Sequence, residues 1–150
     1  VTLERPLARK HGVTLQWQTS VDSLYLYGES SALYQVVTNL IRNAVDASRA
    51  PHANVTITLE RASDTLHLAV RDQGAGIAPE HRTRIFDAGF TTKAAGAGSG
   101  IGLAVVKEIT QNMFGGTVSV ESEVGVGSAF TLALPIPPQR SSERGGGEQR

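Results

Sequence analysis

Asn39, Asn43 and Asp46 stand at i, i+4 and i+7. On an α-helix, at about 100° per residue, these three share one stripe about 60° wide. Asparagine forms helices poorly, and two of them in mid-helix cost about 0.5 kcal/mol each relative to alanine. A solvated face is one use for such a stripe. The other is ligation, because an amide oxygen is a neutral hard ligand suited to Mg²⁺ whose remaining ligands are phosphates and water. A second constellation is Asp72-Gln-Gly74-Ala-Gly76-Ile77. An ionised carboxylate only accepts hydrogen bonds, which suits an exocyclic amine such as that of adenine. Two following glycines let a ligand approach main chain closely, although Asp and Gly also make simple turns. A third is Gly96-Ala-Gly98-Ser99-Gly100-Ile101-Gly102-Leu103. Alternate glycines let main-chain N–H groups converge on an anion, and the start of a helix adds its partial positive charge. The sequence contains no Gly-Lys pair, so this is not a Walker-type loop. It is not the dinucleotide fingerprint either, since Leu103 and Pro79 occupy the third small-residue positions of its two candidate registers. Between the second and third constellations, Phe86 and Phe90 are candidate anchors for a lid or simply core. Lys93 is a candidate point charge for a terminal phosphate.

Those residues need elements to hold them. Apolar residues recur at three and four from Leu33 to Val45, which predicts a helix over 30–49 with Ser30 as its cap. Alternation predicts strands over 13–18, 24–27, 54–60 and 65–71, with a turn at Ala62-Ser-Asp. A short helical piece is expected over 79–86, with Pro79 at its first position. A second long helix is expected over 101–113, closed by Gly115-Gly116. Two more strands follow over 117–121 and 128–134. Strands outnumber helices without strict alternation, which predicts a two-layer α/β sandwich: a mixed sheet of about five strands with helices on one face. From Pro137 the chain is polar and glycine-rich, so residues 1–136 are read as one domain and 137–150 as a flexible tail.

The chain has 150 residues, 40% of them hydrophobic, with fourteen basic and fourteen acidic side chains. One domain of this size holds a core without staples. Zero net charge argues against a nucleic-acid surface or a polybasic membrane patch. Cysteine is absent, which excludes disulfides and thiolate chemistry. No leader stands at Val1 and no apolar run approaches the roughly 20 residues of a membrane span. The expected compartment is the cytoplasm, with any membrane anchor elsewhere in a parent protein.

In this order and spacing, the segments resemble the catalytic and ATP-binding domain of sensor histidine kinases, in the superfamily shared with gyrase, heat-shock chaperone and mismatch-repair ATPases. Asn39-Leu-Ile-Arg-Asn43-Ala looks like that family's N-box and Asp72 to Ile77 like its G1 box. Ile85-Phe86 to Phe90-Thr-Thr92-Lys93 looks like its F-box, and Gly98-Ser-Gly-Ile-Gly102-Leu like its G2 box. The resemblance extends to Gly125-Val-Gly127-Ser-Ala-Phe130 and covers nearly all of 1–136. It implies a left-handed βαβ-type (Bergerat) ATP sandwich with a mobile lid between the F and G2 boxes, and ATP and Mg²⁺ as cofactors. It also implies roles. Asn43 would ligate Mg²⁺, Asp72 would accept from the adenine amine, and Gly76 would let main chain pass close to the base. Gly98, Gly100 and Gly102 would cradle phosphates, and Ser128 would support a water between adenine and Asp72. Gly74, Ile77, Phe90, Thr92, Ser99, Ile101 and Leu103 belong to the same nucleotide-contacting motifs. Asn39, with Lys93, would serve the transfer step.

Asn39 stands where the superfamily's hydrolases look to have a glutamate, and an amide does not take a proton from water at neutral pH. The expected activity is therefore γ-phosphate transfer to an external histidine rather than hydrolysis. Two departures stand out: Asp46 replaces a frequent lysine, and Ala88-Gly89 replaces Pro-Phe in the F-box, which should loosen the lid anchor. His11, His52, His67 and His81 lack the setting of a phosphoacceptor. The acceptor is expected on a separate helical dimerisation domain, with a response-regulator receiver downstream, the fragment itself monomeric and its parent a homodimer. The alternatives are an ATPase or anti-sigma-type serine kinase, against which Asn39 argues, and a non-catalytic nucleotide sensor or docking module that kept the fold, which only Asp46 supports.

Overall fold

The structure, a computed structural model, describes residues 8–9, 12–48, 53–91 and 102–138. Among these residues the elements follow in the order β1 (Thr14–Thr19), α1 (Ser30–Ala47), β2 (Asn54–Ala62), β3 (Thr65–Arg71), α2 (Gly102–Asn112), β4 (Thr117–Glu123) and β5 (Gly127–Pro135). The strands form one sheet in the order β1-β2-β3-β5-β4. β1 and β2 are parallel, joined by the crossover that carries α1, and every other pair is antiparallel. α1 and α2 lie against one face, as the mixed two-layer sandwich requires.

Parity decides which side chains meet the helices. Leu66, Leu68 and Val70 of β3 point inward and are buried. Register places Val70 opposite Ile57 on one side and Phe130 on the other, with Val120 next across the sheet. Opposite this floor, α1 buries Val36, Val37, Leu40, Ile41, Ala44 and Val45. The 3.6-residue period of its apolar side chains is what makes this segment a helix rather than a strand. Gly115, at φ +64, ends α2, and the N–H of Gly116 reaches back to Thr110 O at 2.8 Å. That is the glycine-terminated helix end the sequence predicts.

Three local expectations are corrected. Residues 24–27 form no strand. Leu24 and Leu26 turn inward and Tyr25 and Tyr27 outward, so the alternation is real, but the segment is an irregular connection with no strand partner. Residues 79–86 form no helix. The N–H groups of His81, Arg82 and Arg84 each bond three residues back, to Ala78, Pro79 and His81, which makes a run of turns. Ser30 is not the cap of α1: Glu29 holds that position in extended conformation, and no side chain caps the helix.

The β2–β3 hairpin closes through Ser63 and Asp64, since Ala62 pairs with Thr65. Ser63 is the only non-glycine with positive φ among the described residues, at +55. A side chain there costs about 1 kcal/mol that glycine avoids, offset in part by glycine's larger entropy loss on folding. Ser63→Gly is therefore expected to raise stability by about 0.5 kcal/mol, read as a higher denaturation midpoint at unchanged slope. An unchanged or lower midpoint would contradict this account of the turn.

Candidate functional site

One step beyond Val70, the inward row of the sheet turns polar. Asp72 continues the parity of Leu66, Leu68 and Val70, and Ser128 that of Phe130, Leu132 and Leu134. Ser122 lies opposite Ser128 in register. A carboxylate and two hydroxyls thus cross the sheet end where the apolar rows stop. Asp72 is 3% exposed. Its Oδ1 accepts from Gly74 N at 2.9 Å and Ser128 N at 3.2 Å. Its Oδ2 is buried, with no hydrogen-bond partner among the described residues. Such an atom costs about 1–3 kcal/mol or more unless a ligand supplies a donor.

Burial strips water from the charged form and pushes the Asp72 carboxyl above its ordinary value of 3.8, while the N–H groups of Gly74 and Ser128 pull the other way. A raised folded pKa means that the folded state holds the proton more tightly than the unfolded chain. The stability from this group is fully present below the unfolded value and is lost as pH rises through the folded one. Taking the ligand-free protein from pH 7 to pH 4 should therefore raise its melting temperature relative to Asp72→Asn, which cannot titrate there. A difference that stays flat across that range would show that Asp72 is not desolvated.

The loop after Asp72 is shaped by contacts that only glycine allows. A Cβ on Gly74 would lie 2.2 Å from Ala47 O, at the end of α1. Gly76 adopts φ +74, and a Cβ there would lie 2.2 Å from Glu123 O. The space beside Gly76 is thus filled by the β4–β5 turn. The N–H of Ile77 bonds Ser122 Oγ at 2.7 Å, and Gly125 N bonds Ala75 O at 2.8 Å.

From this loop the site runs back along α1. Ala47 touches Gly74, Asn43 lies about one turn earlier and Asn39 about one more; eight residues of helix from Asn39 to Ala47 span about 12 Å. Asn39 and Asn43 are half-buried and Asp46 is exposed. At the far end, a Cβ on Gly102 would lie 3.9 Å from Asn39 Cγ and Oδ1, so the first residue of α2 faces the first asparagine. Leu103 packs against the core. α1 therefore acts as a ruler between a carboxylate at one end and a helix N-terminus at the other.

Phe90 is held by two partners. His81 meets it edge-on at 5.4 Å between ring centroids, and the Arg84 guanidinium lies over it at 4.9 Å. Thr92, Lys93, Gly98, Ser99, Gly100 and Ile101 lie outside the described residues, as does the expected lid. No cluster of three His, Cys, Asp or Glu side chains forms among the described residues. The amide oxygens of Asn39 and Asn43 on α1 are neutral donors that a metal ion could share with oxygens brought by a ligand. The described residues also line an apolar cavity of about 380 Å³, bounded by Leu24, Leu33, Leu66 and Phe114. It lies at the opposite end of β3 from Asp72 and includes none of the site residues.

Sequence reasoning missed Ser122, Arg82 and the steric demand at Gly127. Arg82 donates to Ser122 O and, at 3.4 Å, to Ile77 O. A Cβ on Gly127 would lie 2.2 Å from Asp72 O. The parity of Val118 and Val120 was the available signal for Ser122; nothing local announces Arg82.

The family described as histidine kinase-, DNA gyrase B- and HSP90-like ATPase matches residues 28–138. The chain belongs to this family. Among sequence relatives, the sensor histidine kinase DcuS of Escherichia coli (strain K12) is 39% identical over 113 residues, 75% of this chain and 20% of that protein. This ATPase-family chain thus spans about a fifth of the length of that relative. Among solved structures, the nucleotide-free catalytic domain of histidine kinase ThkA superposes with a TM-score of 0.79 at 27% identity, covering 90% of this chain and 86% of that one. ThkA in complex with the response regulator TrrA gives 0.75 at 25% identity, over 91% of this chain and 38% of that one. Full-length ShkA in complex with AMPPNP gives 0.79 at 31%, over 90% and 28%. The two-layer fold and the kinase family expected from the motifs are both borne out. No helix among the described residues is long and apolar enough to cross a membrane.

Proposed function

We propose that this chain is the ATP-binding, phosphotransfer domain of a histidine kinase in a two-component system. The observation that carries the reading is Asp72 Oδ2, a buried acceptor with no partner among the described residues, at the end of a glycine-shaped loop. The adenine amine satisfies that atom. The triphosphate then runs along α1 toward the N-terminus of α2, where Gly102 faces Asn39. Gly98 and Gly100 complete the phosphate cradle with Gly102, and Lys93 and Thr92 serve the terminal phosphate. Phe90, Ile77 and Leu103 form apolar walls, with Gly74, Gly76, Ser99 and Ile101 contributing main chain. Ser128 supports the amine through the water that the resemblance implies.

Asn43 fits a magnesium ion because its amide is a neutral oxygen donor on the face that the phosphates follow. When bound, that ion neutralises phosphate charge. Asn39 orients the γ-phosphate and has no basicity with which to activate water. Phosphoryl transfer needs mainly positioning and charge neutralisation, so the domain serves a nucleophile delivered from outside. That nucleophile is a histidine on a helical dimerisation domain of a homodimeric parent, and a receiver domain takes the phosphoryl group next. The chemistry belongs in the cytoplasm, where ATP is.

The test is incubation of the chain with γ-labelled Mg-ATP and a separately purified helical domain bearing the acceptor histidine. Acid-labile, base-stable label on that partner is expected. Steady release of inorganic phosphate without the partner would overturn the reading in favour of an ATPase.

A further inference from the structure

Three features outside the four motifs converge on the loop that follows Asp72. Ser122 Oγ has three polar neighbours: Ile77 N at 2.7 Å, Gly127 O at 3.1 Å and Ser128 Oγ at 2.8 Å. Arg82 spans two carbonyls, Ile77 O on the loop and Ser122 O at the end of β4. Gly125 N holds Ala75 O from the β4–β5 turn. The main chain from Ala75 to Ile77 is thus tied to one hairpin by a hydroxyl, a guanidinium and a peptide N–H.

The donor count at Ser122 fixes one further thing. A hydroxyl has one hydrogen and two lone pairs. Gly127 O can only accept, so the Ser122 hydrogen goes there. Ile77 N can only donate, so it takes one lone pair. The bond between the two hydroxyls must then run from Ser128 to Ser122. Ser128 Oγ has spent its hydrogen and offers only lone pairs, as does the ionised Asp72 carboxylate, whose Oδ1 accepts from Ser128 N. These two side-chain groups therefore both present acceptors. They welcome an amine at the recognised edge of a base and repel a carbonyl.

We infer that Ser122 and Arg82 are positioning residues for nucleotide recognition: together they brace the 75–77 main chain, and Ser122 sets the Ser128 hydroxyl as an acceptor that discriminates a 6-amino from a 6-oxo purine. The inference rests on the ATP-binding reading above. It concerns two side chains that touch no base themselves.

Calorimetric titration with Mg²⁺ and a non-hydrolysable ATP analogue, repeated with the matching inosine analogue, tests it. Ser122→Ala removes the partner of Ile77 N and frees the Ser128 hydrogen. Its affinity for the adenine analogue is expected to fall about tenfold. Its preference for adenine over inosine is expected to narrow, because the Ser128 hydroxyl is then able to donate to the bridging water, whose own hydrogen is left for the carbonyl. Ser122→Thr keeps the hydroxyl and should restore both. Arg82→Lys keeps the charge but lacks the fork that spans two carbonyls, so it should lose as much affinity as Arg82→Ala. A merely structural role would weaken both nucleotides equally. The inference is overturned if Ser122→Ala keeps wild-type affinity and preference, if Ser122→Thr fails to restore them, or if Arg82→Lys binds like wild type. Wild-type protein that binds neither analogue overturns the nucleotide reading itself; wild-type binding with an unaffected Ser122→Ala overturns the brace alone.

Discussion

Asp72→Asn is expected to weaken binding of an adenine nucleotide about 100-fold, the worth of a hydrogen bond to a buried charge. The geometry fixes why so conservative a change is severe. Oδ1 is committed to the N–H groups of Gly74 and Ser128. An asparagine in this site must keep its oxygen toward those two donors, since its NH₂ would otherwise meet them head-on. The NH₂ is then left where Oδ2 now stands, facing a ligand amine that also donates. Attraction becomes repulsion without any change of shape. The fold should survive, because the variant removes a buried charge. Titration of both proteins with the same Mg-bound ATP analogue reads the effect. Affinity within twofold of wild type would show that Asp72 does not contact the base.

Gly76→Ala should be the most damaging small change in the loop. Gly76 lies at φ +74, and an added Cβ would sit 2.2 Å from Glu123 O and 2.8 Å from Val124 Cα. The left-handed backbone alone costs about 1–2 kcal/mol for a residue with a side chain. The overlap is with main chain of the β4–β5 turn, which cannot rotate aside, so the total is expected near 3 kcal/mol. Gly125 supplies the control. It has φ +80 and nothing within 4 Å of an added Cβ. Gly125→Ala should therefore lose only the backbone component, about 1 kcal/mol. Thermal melts of the two variants separate the terms. Equal losses would mean that the turn does not press on Gly76.

Much of this site is legible in the chain because it is built on short periods. Leu66, Leu68 and Val70 announce a two-residue alternation that carries Asp72 onto the inward face. Asn39 and Asn43 announce a one-turn spacing on a helix whose apolar stripe is unambiguous. What escaped depends on distance or on pairing. Arg82 reaches Ser122 across 40 residues and Ile77 reaches it across 45, and no local pattern encodes either bond. Leu24 to Tyr27 alternate like a strand, yet alternation reports which side is covered and not whether another strand lies alongside. Residues 79–86 begin with proline as a helix does, but so short a run does not recover the cost of a helical nucleus and settles into successive turns. The role given to Gly76 also changes emphasis. Its missing side chain makes room for Glu123 O, so its first service is to seat the loop on the hairpin.

The proposed function requires that the buried Asp72 Oδ2, unpartnered among the described residues, and the asparagine face of α1 together hold a magnesium-bound adenine nucleotide. Calorimetric titration of the wild-type chain with Mg²⁺ and a non-hydrolysable ATP analogue tests that requirement most directly. Saturable one-to-one binding below millimolar concentration is predicted. No uptake of the analogue at millimolar concentration would contradict it.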